Sequence, residues 1–170
     1  MKKFLIILVS LFILSIVGSC GYKFSGGGLL PGKTKLVAVN MFENKTFESG
    51  VENIFASALS LELMGKSDSE VVNLEDADAY FKGVVKSVSI TTLTRTSTDA
   101  VIERRVSAVI DLQLIDKQGN VLWSVKDFKG DEEYQVTTEN LTDMASRTTG
   151  LRKIAERIAQ KVVSRMLDDF

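Results

Sequence analysis

Residues 105–115 read RVSAVIDLQLI, and their alternation decides what kind of layer this chain builds. Val106, Ala108, Ile110, Leu112 and Leu114 share one face of an extended chain. Arg105, Ser107, Asp111 and Gln113 share the other, with Val109 the exception. A period of two with one apolar face predicts a strand in a sheet buried on one side and solvated on the other. Asp116-Lys117-Gln118-Gly119-Asn120 then reads as a turn, and Val121–Phe128 returns with Trp123 and Val125 on one face. Arg104–Phe128 is therefore predicted to be an antiparallel hairpin.

Upstream, Ala79–Thr91 (AYFKGVVKSVSIT) is a second long strand with an irregularity. Phe81, Gly83 and Val85 share a face, but the apolar parity then switches to Val88 and Ile90. Such a switch predicts a bulge near Lys86-Ser87, or a strand passing from buried to exposed surroundings. The polar, Thr-rich stretch Thr92–Ile102 is expected to be an exposed hairpin loop. Earlier, Lys35–Phe42 (KLVAVNMF) reads as a buried strand, Glu43–Thr46 as a loop and Val71–Leu74 as a short strand.

Two helices complete the pattern. Ser49-Gly50-Val51-Glu52 has the form of a capping box, in which the Ser49 hydroxyl accepts from the Glu52 amide. Val51, Ile54, Phe55, Ala58, Leu59 and Leu61 follow at helical spacing, with Gly65 as the expected stop. From about Thr138 to Leu167 a longer stripe runs through Leu141, Met144, Ala145, Leu151, Ile154, Ala155, Ile158, Val162 and Met166. Gly150 marks either a kink or the true start of that helix. A helix between the first two strands lets them lie parallel. The expected fold is α+β: a two-layer sandwich with a small mixed or antiparallel sheet of about four strands and two helices packed on one face.

The first twenty residues have a different character. Lys2 and Lys3 precede an apolar run from Phe4 to Ile16, and Gly18, Ser19 and the chain's single cysteine follow. The run is about 13 residues, roughly 20 Å as a helix, which is short for a membrane span and typical of a secretory signal. Val17-Gly18-Ser19-Cys20 resembles a bacterial lipobox, in which cleavage precedes the cysteine and its thiol is then diacylated. Cys20 is accordingly read as a lipidation site, against a stray cysteine in an ordinary signal or a free structural thiol. Gly21 stands where many Gram-negative inner-membrane lipoproteins carry a retention aspartate, which points to the outer membrane. The expected division is a signal peptide over 1–19, a lipid-anchored flexible tether over 20–34 and one domain over 35–170. Gly26, Gly27 and Gly28 lack the spacing of a phosphate loop and fit the tether, which ends in a turn at Pro31-Gly32.

Composition narrows the chemistry. The chain holds 21 basic and 22 acidic residues and no histidine. That balance argues against a nucleic-acid-coating protein. Without histidine, Ser-His-Asp and Cys-His nucleophiles, His-based zinc sites and the usual general base near neutral pH are absent. No catalytic residues, metal ligands or cofactor sites are assigned. Asp76 and Asp78 would point the same way on a strand, and a turn or strand-start role fits Asp-Ala-Asp better than a hydrolase.

Taken in order, a set of short motifs resembles one family. Cys20-Gly21-Tyr22-Lys23-Phe24 and Leu30-Pro31-Gly32 come first, then Val37-Ala38-Val39 with Phe42-Glu43-Asn44-Lys45-Thr46. Ala77-Asp78-Ala79 leads into Phe81-Lys82-Gly83, and Gly119-Asn120-Val121-Leu122-Trp123 closes the hairpin. Glu133-Tyr134-Gln135-Val136 and a C-terminal helix ending in Phe170 follow. The order and spacing resemble the LPS-assembly lipoprotein family LptE over the whole mature chain. That resemblance implies a non-catalytic outer-membrane lipoprotein on the periplasmic face that plugs and stabilises the LptD β-barrel. It also implies assistance in lipopolysaccharide transport and insertion into the outer leaflet.

By the same resemblance, lipopolysaccharide would be met by basic side chains near the loop joining two central strands, here Arg95, Arg104 and Arg105. Guanidinium groups suit lipid A phosphates because their planar fork bonds two oxygens at once. The bland alternative is solvated strand-end charge, with Asp99 and Glu103 nearby. Val37–Leu63 also resembles the opening unit of LpoB-like activators of peptidoglycan synthases and of curli-secretion lipoproteins.

Overall fold

The computed structural model describes residues 27–95, 101–136 and 140–168. The expected signal peptide, Cys20 and Gly21 lie outside the described residues. In chain order the elements are β1 (Leu36–Val39), β2 (Glu43–Asn44), α1 (Val51–Lys66), β3 (Glu70–Val71), β4 (Ala79–Arg95), β5 (Val101–Asp116), β6 (Val121–Gln135) and α2 (Asn140–Asp168). They form a six-stranded sheet in the order β3-β1-β4-β5-β6, with β2 also on β4. β1 lies parallel to β3 and β4, while β4, β5 and β6 form an antiparallel meander. The fold is thus the expected α+β class, with six strands instead of about four. β2 and β3 are two residues each, too short for any alternation to show in sequence.

β5 has the expected faces. Val106, Ala108, Ile110, Leu112 and Leu114 are all buried, against Phe55, Leu59 and Leu63 of α1 and Leu151, Ile154, Ile158 and Val162 of α2. Both helices therefore cover one sheet face. Two glycines let α2 come close. A Cβ on Gly150 would stand 2.9 Å from Val106 Cγ1, and one on Gly130 of β6 would stand 2.6 Å from Ile154 Cγ2. Gly150 is thus a contact point with the sheet, and α2 runs through it from Asn140.

Several local expectations are corrected. Gly50, not Ser49, is the N-cap of α1, at φ 82°, and no side chain caps the helix. Glu52 instead accepts from Asn44 Nδ2 at 2.8 Å, so the carboxylate of the supposed box serves the preceding loop. The C-terminal stop is Ser67, whose N–H and hydroxyl both donate to the Leu63 carbonyl, at 3.0 and 2.8 Å. Leu61 is 70% exposed, and the buried stripe of α1 is Val51, Phe55, Leu59 and Leu63. Among the described side chains of α2 the stripe is buried from Gly150 onward, and Met144 is 54% exposed. Thr92–Ile102 is not a loop throughout: β4 continues to Arg95 and β5 begins at Val101.

Residues 27–34, expected as the end of a tether, are part of the packed domain. Leu30 is buried, and its N–H donates to Ser69 Oγ at 3.2 Å while that hydroxyl donates to the Thr34 carbonyl at 2.7 Å. Asp78 has a similar framing role. Its carboxylate accepts from the Leu36 N–H and its own N–H donates to the Leu36 carbonyl, fixing the start of β1 against β4.

Candidate functional site

The long meander is not straight. In β4 the register slips between Val85 and Ser87, so Lys86 is the extra residue of a bulge where the parity switch predicted one. β6 carries a second bulge at the same level. Ile110 pairs with Phe128 and Leu112 with Val125, leaving Lys126 and Asp127 opposite Asp111 alone. Asp127 sits there at φ 51°. This bulge moves the helix-facing parity of β6 from Trp123 and Val125 to Phe128, Gly130, Glu132 and Tyr134.

The side chains freed by the bulges are joined across the three strands. Lys86 Nζ donates to Asp127 Oδ1 at 2.6 Å and lies 3.6 Å from Asp111 Oδ2. The Asp127 N–H donates to Asp111 Oδ1 at 2.7 Å. The hydrogen bond from Lys86 holds the Asp127 carboxyl below the usual carboxylate range, and the same bond holds the Lys86 ammonium above the usual lysine value. These links cross the sheet along the line of the two bulges.

Beyond that line β4, β5 and β6 continue as an arm. Its candidate arginines share one end of the molecule but not one surface. Arg104 is on the helix side, opposite Tyr134, and donates to Asp143 of α2 at 2.8 Å. Arg105 is on the open side with Glu133 and Asp131, and the hydrogen bond to Glu133 raises its pKa further. Arg95 pairs in the ladder with Val101 at the end of described β4. Arg104 and Arg105 are therefore already met by carboxylates within the fold.

The sequence reading missed a groove beside the arm. It has a volume of about 720 Å³ and lies between the loop after β2, the outer edge of β4 and the first half of α2. Phe47, Val88, Ile90 and Met144 supply apolar lining, and Lys45, Lys86 and Arg147 supply charge. Arg147 is held 3.3 Å from Glu48, which ties α2 to the loop. Phe47 is fully exposed and Ile90 is 41% exposed. A phenylalanine in a polar loop and the Val88–Ile90 parity switch were the available signals; α2's contribution required the tertiary fold.

The charge network sets the pH response. Glu132 is held below its usual value by hydrogen bonds from Lys153 and then Arg157, both on α2. With the carboxyls of Asp127 and Asp116 also lowered, stability from these groups is present above their unfolded values near 4 and is lost as pH falls through the lowered ones. Lys86 acts oppositely: its contribution is present below its unfolded value and lost as pH rises through the raised one. No histidine titrates between. Thermal midpoints should be flat from about pH 5 to 9 and fall on both sides. A step near pH 6.5 in a melting series would contradict this assignment.

Comparisons agree with this architecture. The solved structure of lipoprotein B from Nitrosomonas europaea superposes with a TM-score of 0.57 at 16% identity, covering 86% of this chain and 90% of that one. A lipoprotein from Caulobacter crescentus gives 0.52 at 13% identity, covering 75% and 88%. At these identities the likeness speaks for the fold alone. No curated protein sequence matches. The family model for LptE, lipopolysaccharide-assembly, matches residues 34–166, from the buried Thr34 through β1, the meander and both helices to the buried Met166. That match covers more than half of the chain, and the protein belongs to the LptE family of lipopolysaccharide-assembly lipoproteins.

Proposed function

We propose that acylated Cys20 holds this domain at the periplasmic face of the outer membrane, where it fills and stabilises an LptD-type β-barrel. In that position it assists transport of lipopolysaccharide and its insertion into the outer leaflet, without catalysing a reaction. The family match over residues 34–166 carries this reading.

The shape supports it. The described chain begins beside the C-terminal ends of both helices: the Gly27 N–H donates to the Lys66 carbonyl, and Gly28 lies against Leu167. The arm ends at the far pole, since β4 runs 17 residues from Ala79 to Arg95. At ~3.3 Å per residue that is about 50 Å, more than a bilayer with its headgroups. A domain anchored at one leaflet can therefore carry its arm through a barrel lumen to the level of the other. Acylation reduces the search for the barrel from three dimensions to two, and two or more chains make the anchoring stable. Cys20→Ala is expected to abolish incorporation of radiolabelled palmitate into the protein. Undiminished labelling would contradict the anchor.

Arg95, Arg104 and Arg105 are proposed to meet lipid A phosphates at the arm's end. For Arg104 and Arg105 this requires exchange of their carboxylate partners, Asp143 and Glu133. Arg95→Glu combined with Arg104→Gln is expected to lower lipopolysaccharide capture by purified protein at least several-fold with folding intact. Unchanged capture and unchanged barrel co-purification would sink the assignment of the arm.

A further inference from the structure

α2 changes character at Gly150. From Leu151 to Met166 its inner stripe is buried, with Leu151, Ile154, Ile158 and Val162 in the core. From Asp143 to Thr149 no side chain is buried, although this half continues along the arm from the level of Val106 to that of Arg104. The helix is also weakened there. The Thr148 and Thr149 hydroxyls donate to the Met144 and Ala145 carbonyls at 3.0 and 2.9 Å, competing with the backbone ladder in a way that loosens and bends helices. Gly150 follows, kept small by its approach to Val106, and glycine weakens a helix interior. Two ion pairs fasten this half: Arg104–Asp143 at 2.8 Å to β5, and Arg147–Glu48 at 3.3 Å to the loop after β2. Partly solvated pairs of this kind contribute modestly. The closed arrangement also leaves polar atoms unmatched, since Tyr134 Oη, Asp143 Oδ1 and Arg147 Nε are buried without a hydrogen-bond partner among the described residues. Burying such atoms opposes closure.

We propose that the first half of α2 is a latch over the arginine site of the arm and opens about Gly150. This inference rests on the reading under Proposed function that Arg104 meets lipid A phosphate. In the closed state the Asp143 carboxylate takes the place of that phosphate, because both present paired oxygens to a guanidinium. Opening withdraws Asp143 and leaves Arg104 to the lipid. Lipopolysaccharide then binds the open state, and its apparent affinity scales with the fraction of molecules that are open.

Hydrogen exchange followed by mass spectrometry on the full lipoprotein measures the opening, and binding of purified lipopolysaccharide to the same sample measures its use. Amides of residues 143–149 should exchange about a hundredfold or more faster than those of 154–166. Two charge-neutral changes at exposed positions then move the latch in opposite directions. Ala145→Gly should speed exchange of 143–149 about fivefold, and Thr149→Ala should slow it about threefold, with 154–166 unchanged in both. Lipopolysaccharide affinity should rise and fall by the same factors. Exchange of 143–149 as slow as that of 154–166, or unmoved by both changes, overturns the latch. So does exchange that shifts while affinity stays constant; in each case the lipid reading of the arm stands. If the unsubstituted protein shows the exchange contrast but binds no lipopolysaccharide, that reading falls and the inference with it.

Discussion

Phe81→Ala is expected to lower the unfolding free energy by about 3–5 kcal/mol, a large share of the 5–15 kcal/mol typical of a domain this size. Phe81 is fully buried and stands where the two halves of the sheet meet. Its β4 backbone pairs on one side with Val39 of the parallel part and on the other with Leu114 of the meander. Truncation removes the ring's transfer energy and leaves a cavity between elements that cannot collapse without breaking a ladder. Urea unfolding monitored by circular dichroism measures the cost. A loss under ~1 kcal/mol would mean that the core is looser than the buried set implies.

Gly83→Val acts by overfilling the same core. Even the first carbon of a side chain at Gly83 would stand 2.4 Å from the Phe42 ring. That ring is itself buried and stacked on Phe55, with centroids 6.2 Å apart and planes at 22°. The glycine backbone cannot retreat, because β4 is paired there with Leu112 of β5. Overpacking typically costs 1–3 kcal/mol, and valine here should reach ~3 kcal/mol or prevent folding. Phe42→Ala in the same chain should recover part of the loss, giving a coupling of at least ~1 kcal/mol in a double-mutant cycle. Purely additive effects would show that Phe42 is not what excludes the side chain.

What was legible in the sequence was whatever repeats over many residues. The period-two pattern of Val106 to Leu114 identified the central strand, its buried face and the hairpin that follows. The parity switch after Val85 located the β4 bulge, because a bulge changes which residues face the core. The same signal was present in β6, where Trp123 and Val125 give way to Phe128 and Tyr134, but the charged residues between them hid it. Local motifs were less reliable. Ser49 and Glu52 have capping-box spacing, yet Gly50 takes the cap conformation and Glu52 is drawn to Asn44, a contact set by the β2 turn. Leu61 fits a helical stripe as well as Leu63 does, and only the position of the sheet decides which is covered.

The site was less legible than the fold. Arg104 and Arg105 are adjacent on β5 and face opposite sides of the sheet, one toward Tyr134 and α2 and the other toward the open side. Their carboxylate partners, Asp143 and Glu133, come from α2 and β6, which only the tertiary arrangement brings near. The groove likewise joins segments distant in sequence, around Phe47, Val88 and Met144.

The central claim is tested most directly by purifying the tagged lipoprotein from detergent-solubilised envelopes and identifying what accompanies it by mass spectrometry. A large outer-membrane β-barrel at one copy per lipoprotein is the predicted result. A peptidoglycan synthase or a secretion pore in its place, with no barrel, would contradict the account.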